Sequence, residues 1–404
     1  MSDTSNVFLK KFIIAVCQSF DAINRRIHLH QQRVTIISLN LADKLGLPLS
    51  DKTTLFYAGL LHDIGLFLTK DHPDILDFNC SNIQSHCELA YEMMNRLELL
   101  QGASILIRHH HDHWAGPNES GLVKDKIPFL SQIIHLADRF EVLIQDDKPI
   151  IQQSEEIMNR IIQQNEIWFN PELVECLKQI TRERLFWLSL TSEFTSNLLN
   201  EFAPTDERKA TFDNMIEVAS VFAQIVDYKS QHTKNHSVQV TALSLKIAML
   251  LHWSKTDLKR LWAAALLHDL GKLSIQDELL DKTSSLTNNE YTIMKMHPYF
   301  GYLILSAIPE FDEIARWSLF HHEYLDGKGY PFGVDGDNIP QGARIIAVAD
   351  KFTALTEDRP YRKKLFNEEA LKILEEDARQ NRIDKKILDV LKTIIEKKIP
   401  FNIA

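Results

Sequence analysis

Residues 258–273, LKRLWAAALLHDLGKL, carry the reading of the fold. Apolar side chains recur there every three or four positions, the period of an amphipathic helix, and the run ends in a His-Asp pair, His268-Asp269. Residues 54–68, TLFYAGLLHDIGLFL, repeat the pattern and place His62-Asp63 at the same point. The same spacing returns in 34–47, VTIISLNLADKLGL, and in 240–251, VTALSLKIAMLL. Few stretches alternate with period two, and 13 glycines and 13 prolines in 404 residues leave few breakers. The fold class is therefore all-α. One stretch departs from it: 323–342, EYLDGKGYPFGVDGDNIPQG, is dense in Gly, Pro and Asp and reads as an irregular loop with room for a short hairpin.

Around each His-Asp pair stands the same order of imidazoles and carboxylates. The second copy runs His236, His268-Asp269, His297, His321-His322, Asp350, and the first runs His30, His62-Asp63, His86, His110-His111, Asp138. His30 to His62 and His236 to His268 both span 32 positions, and His86 to His110 and His297 to His321 both span 24. Asp138 follows His111 by 27, and Asp350 follows His322 by 28. Two domains built on one plan are expected, 1–205 and 206–404, joined near the polar stretch 200–212, NEFAPTDERKATF.

Side chains of these two kinds bind divalent transition metals. Distributed over several helices, they meet only inside a bundle. A donor set of nitrogen and oxygen without thiolate suits Fe, Mn, Zn, Ni or Co. Two such ions about 4 Å apart can hold a phosphodiester and activate water. The second copy adds the cations that a phosphate needs. Lys272 lies one turn after His268, and Arg359 and Arg362 follow Asp350 by 9 and 12. The first copy has Leu66, Asp147 and Ile150 at those points. It keeps the ligand order, a possible second metal site, but lacks the phosphate-holding groups, so a silent, stabilising or regulatory domain is expected that packs on its neighbour.

The bulk properties bound the partners. A net charge of -10 argues against a nucleic-acid polymer or an anionic membrane as ligand. No apolar run reaches a membrane-spanning length, and MSDTSNVFLKKFIIAV lacks a basic leader segment. A cytoplasmic protein is expected. Cys17, Cys80, Cys87 and Cys176 form no C-x-x-C pair and read as free thiols. A homodimer is compatible with the sequence.

HDLGK (268–272), HHEYLDGKGYPFG (321–333) and RIIAVADKFTALTEDRPYR (344–362) resemble the HD-GYP family of bacterial cyclic-dinucleotide phosphodiesterases. The similarity covers about 210–370. The first copy is similar only to the broader HD superfamily of metal-dependent phosphohydrolases. The resemblance implies two tandem HD-type helical domains, the second hydrolysing cyclic di-GMP to pGpG and GMP, or 3′,3′-cyclic GMP-AMP in its place. A signalling adaptor that binds the cyclic dinucleotide without turnover is the rival from another class. By position, the family's metal ligands fall on His236, His268, Asp269, His297, His321, His322 and Asp350. Asp269 would bridge two ions and guide the water, with Fe or Mn the expected metals. His232, four before His236, is a candidate ligand for a third ion. Lys272, Arg359 and Arg362 would contact substrate phosphate, and Lys272 would also offset charge during catalysis. The loop residues Asp326, Gly329, Tyr330 and Pro331 would stand near the bases and the metal rim.

Overall fold

The computed structural model describes residues 8–21, 29–69, 77–79, 84–191, 195–205, 211–230, 235–358 and 363–400. Among them there is no strand beyond two isolated bridges, Asn165 with Phe169 and Asp326 with Asp335, and the fold is all-α. The second bridge closes the Gly-rich loop as a minimal hairpin.

Some helices start at a side-chain cap. Thr211 and Asn214 form a reciprocal capping box at the head of Phe212–Lys229. Ser254 accepts from the Asp257 amide at the head of Lys255–Leu266, and Thr287 with Glu290 caps Asn288–Met294. Each fills backbone donors that the first turn leaves free.

Two compact units result, Asn24–Lys209 and Met1–Ile23 with Ala210–Ala404. In the second, helices His236–Leu250, Lys255–Leu266, His297–Ser306, Asp312–Leu319 and Gln341–Thr356 pack together with a 3-10 turn at Leu270–Ser274. In the first, His30–Lys44, Leu49–Leu61, Gln84–Met94, Gln101–Arg108 and Phe129–Glu141 do the same with a 3-10 turn at Ile64–Leu68. The correspondence reaches single atoms. A Cβ added at Gly271 would meet the His297 carbonyl oxygen at 1.9 Å, and one at Gly65 would meet that of His86 at 1.9 Å. Both turns press backbone against the backbone of the third ligand, so only glycine fits.

Two expectations change. The His-Asp pair does not continue a helix: Lys255–Leu266 ends before it, and Asp269 (φ -97°, ψ 7°) opens the 3-10 turn. Ser318 Oγ lies against the carbonyls of Leu267 (3.4 Å) and His268 (3.2 Å) at this break, where the Leu267 carbonyl also accepts the Leu270 amide (3.1 Å). The helix Phe8–Asp21 belongs not with residues 24–205 but with the second unit. Its residues Phe12 to Cys17 are all buried. It packs on His297–Ser306 and on the turn Leu270–Ser274, with Phe12 edge-on to Phe222 at 5.0 Å.

Candidate metal centre

In the second unit the described ligand candidates stand at the ends of elements or, for Asp350, within a helix. His236 and His297 are the first residues of their helices, His321-His322 follow the end of Asp312–Leu319, and Asp350 lies mid-way along Gln341–Thr356. Asn235, just before His236, has φ 70°, and Leu29, before His30, has φ 66°. This left-handed step aims the first histidine inward. For Leu29 it costs about 1 kcal/mol or more, so the packing must enforce it.

Asp269 is the centre of the arrangement. Its Oδ2 stands 3.3 Å from His268 Nε2, and its Oδ1 stands 3.2 Å from His297 Nε2 and 3.9 Å from His321 Nε2. His236 Nε2 faces Asp350 Oδ1 at 3.1 Å, and His322 Nδ1 faces Asp350 Oδ2 at 4.0 Å. Donor atoms thus fall into two groups, His236–His268–Asp350 and Asp269–His297–His321–His322, each within 4.8 Å. Asp269 offers one oxygen to each.

Three of the imidazoles are fixed in orientation by the backbone. His268, His297 and His321 each donate Nδ1–H to the carbonyl three residues back, Ala265 (2.8 Å), Met294 (2.8 Å) and Ser318 (2.5 Å). That bond sets the tautomer and leaves the Nε2 lone pair pointing inward. The Nε2 atoms of all three are buried and have no hydrogen-bond partner. Orphaned polar atoms that converge in this way fit a cation, since burying them otherwise would cost about 1–3 kcal/mol each.

The electrostatics agree. Burial pushes His322 down to about 3 and lowers His321 too, which keeps both as lone-pair donors. Burial opposes the Asp269 carboxylate, yet Lys272 and His268 outweigh it and hold it well below the usual range. Burial also disfavours charge on His236, but its bonds to Asp350 and Glu357 prevail and raise it to about 9, a measure of the negative field that a metal would meet.

A cleft of about 660 Å³ opens on this group. His236, Asp269, His297, His322 and Asp350 form its floor, Lys272 and Tyr330 flank it, and Leu279 to Leu286 supply the far wall. Tyr330 lies against the His322 ring at 4.7 Å. Lys272 Nζ sits 2.5 Å from Asp269 Oδ2. Asp326, Gly329 and Pro331 do not line the cleft. Asp326 accepts from the Lys328 amide at 3.0 Å, and Gly329 lies where a Cβ would strike the Tyr324 nitrogen at 2.3 Å. Asp326 and Gly329 thereby shape the loop. Arg359, Arg362 and His232 lie outside the described residues.

Three contributors escaped the sequence reading. Glu357 accepts from His236 Nδ1 at 3.0 Å. It stands seven after Asp350 in the chain, two turns on, which is the signal that could have found it. Glu323 is buried and takes the amides of Phe332 (2.7 Å), Gly333 (3.0 Å) and Val334 (3.2 Å), which ties the Gly-rich loop to the histidine pair. Asp227 accepts from the Ser237 amide (3.0 Å) and hydroxyl (2.8 Å), anchoring the helix that begins with His236.

The first unit repeats the geometry. Asp63 Oδ2 lies 3.4 Å from His30 Nε2 and 3.3 Å from His62 Nε2, and its Oδ1 lies 3.4 Å from His86 Nε2 and 3.9 Å from His110 Nε2. His62 and His110 donate Nδ1–H to Gly59 (2.8 Å) and Ile107 (2.6 Å). Its donor groups are His30–His62–Asp63 and His86–Cys87–His110–His111, with a cysteine in the second. His111 and Asp138 side chains are 3% and 2% exposed, against 26% and 13% for His322 and Asp350.

Comparison with known proteins gives the same division. The HD domain family matches at residues 16–173 and again at 220–387. The chain is 27% identical over 395 residues to 3′3′-cGAMP-specific phosphodiesterase 1 of Vibrio cholerae, covering 96% of this chain and 91% of that protein. It is 36% identical over 196 residues to a cyclic di-GMP phosphodiesterase of Thermotoga maritima, about half of each chain. Among solved structures it is similar to the cyclic GMP-AMP specific phosphodiesterase V-cGAP3 of V. cholerae, with TM-score 0.68, 25% identity and coverage of 96% and 97%.

Proposed function

The chain belongs to the HD domain family, its second half to the HD-GYP branch, and from that premise we propose that this half hydrolyses a 3′,3′-cyclic dinucleotide in the cleft above Asp269. The observation that carries the reading is one buried carboxylate between the two donor groups, its Oδ2 facing the partnerless Nε2 of His268 and its Oδ1 those of His297 and His321. His236, His268 and Asp350 would hold one divalent ion and His297, His321 and His322 the other, with Asp269 shared and Fe or Mn the expected metals. When bound, such a pair supplies an activated water and offsets charge on the phosphate.

The chain's own residues supply the rest. Asp269 orients the attacking water. Lys272, at the rim beside Asp269, meets the non-bridging phosphate oxygens, assisted by Arg359 and Arg362. Tyr330 closes one side and lies within reach of a base. Glu357 holds His236 in the ligating tautomer.

Cyclic di-GMP follows from the HHExxDGxGYP motif, whereas 3′,3′-cyclic GMP-AMP is favoured by the V. cholerae relative that matches both halves. The first half serves as a non-hydrolytic partner domain, and the protein works in the cytoplasm. No helix among the described residues is long and apolar enough to cross a membrane. The test is a side-by-side assay of both cyclic dinucleotides with Mn or Fe, reading linear products by chromatography. Linear product from at least one is expected; none from either, with any of these ions, rejects hydrolysis and leaves the adaptor.

A further inference from the structure

Cys87 has no counterpart in the second unit: the residue after His297 is Pro298, which carries no donor. In the first unit the residue after His86 brings a thiol, fully buried, to the donor group His86–Cys87–His110–His111. We propose that these four residues hold a thiophilic divalent ion, zinc by preference, in a sealed centre that is structural and takes no substrate.

The distances argue for a shared ion. Tetrahedral zinc with Zn–S about 2.3 Å and Zn–N about 2.05 Å places sulfur and nitrogen about 3.6 Å apart. Cys87 Sγ stands 3.6 Å from His86 Nε2, and one donor atom from each of the four residues lies within 4.8 Å of the others. Beside them His110 Nε2 and both ring nitrogens of His111 are buried without a hydrogen-bond partner. Three imidazoles and a thiolate form a closed structural set of the Cys-His kind. The added sulfur moves selectivity away from the harder Mn and towards zinc.

The surroundings separate this centre from hydrolysis. Leu66 replaces the rim lysine. Arg139 lies on Asp138 Oδ2 through Nε (3.0 Å) and Nη2 (2.8 Å), so a guanidinium already occupies one of its oxygens. The loop after the histidine pair is pinned to the chain around Trp168: the Trp114 amide donates to the Trp168 carbonyl (2.9 Å), that of Ala115 to Ile167 (2.9 Å), and the His113 ring stacks on Trp168 at 4.7 Å. The two halves thus carry different ions for different purposes, on one inherited plan.

The full-length protein, stripped and reloaded with Co(II), tests this. A near-ultraviolet thiolate-to-cobalt charge-transfer band is expected, lost in Cys87→Ser and kept in Cys17→Ser and Cys176→Ser. If Cys87→Ser fails to fold, zinc-edge X-ray absorption of the zinc-loaded wild type replaces it, with a sulfur scatterer at about 2.3 Å expected. A cobalt spectrum without the band, a band indifferent to Cys87→Ser, or a zinc shell of nitrogen and oxygen alone would overturn the proposal. None of these readouts depends on turnover, so they stand whatever the cyclic-dinucleotide assay returns.

Discussion

In the second unit the residue after the last aspartate, Lys351, turns away to Asp377 at 2.5 Å and leaves both oxygens of Asp350 towards imidazoles. In the first, the residue after the last aspartate is Arg139, which folds back on Asp138 and also reaches the Asp77 carbonyl at 2.9 Å. One half keeps its carboxylate for a cation and opens it to a cleft. The other spends part of it on a guanidinium and buries the rest. Ligand order survives in both halves because the same turns and the same glycines build it. Chemistry depends on the next neighbours, and those have diverged.

Paired substitutions sharpen this contrast. Asp269→Ala should lower kcat/KM for the cyclic dinucleotide by about a thousandfold or more, whereas Asp63→Ala should leave it within a few-fold. Product chromatography decides, and comparable losses in both would end the division of labour drawn here. Gly271→Ala and Gly65→Ala each drive a methyl into a carbonyl, and each should destabilise its own unit by about 3 kcal/mol or more. Thermal unfolding should show a fall for both, with turnover abolished only by the former. Glu357→Gln should weaken metal binding in the second half by about 10- to 100-fold through the His236 tautomer, read by competition with a chelator.

The smallest effect concerns Asp227, which burial raises to about 6. The folded chain then binds this proton more tightly than the unfolded chain, whose ordinary value is 3.8. Stability from this group therefore grows as pH falls from about 6 towards 4. Asp227→Asn should remove that gain: the melting-temperature difference between wild type and variant should shift in favour of wild type as pH drops from 7 to 4.5. A difference that does not change with pH would refute the assignment.

Much of this was legible in the sequence. Helical periodicity gave the all-α class, and equal intervals between histidines gave the duplication, because a ligand set spread over packed helices fixes the chain length between them. The His-Asp pair misled in one respect: apolar spacing runs on through 263–273, and nothing local says that the helix stops at Leu266. The break is set by Gly271 against His297, a contact between residues 26 apart. Cys87 is a free, buried thiol, as expected, and only the fold brings His110 and His111 beside it. Glu323 looked like one letter of a motif, and its three amide bonds emerge only once the loop is folded. Asp326 and Gly329 also hold the loop's own shape, which the sequence does not show because those contacts form only in the folded turn.

The helix Phe8–Asp21 carries a practical warning for anyone who dissects the gene. A fragment begun at the polar joint would contain every catalytic side chain yet lack a piece of its own interior, and Phe222 would lose its aromatic neighbour. Such a fragment should precipitate or stay inactive for reasons unrelated to chemistry. Supplying the missing N-terminal peptide, fused or in trans, is the remedy the architecture prescribes.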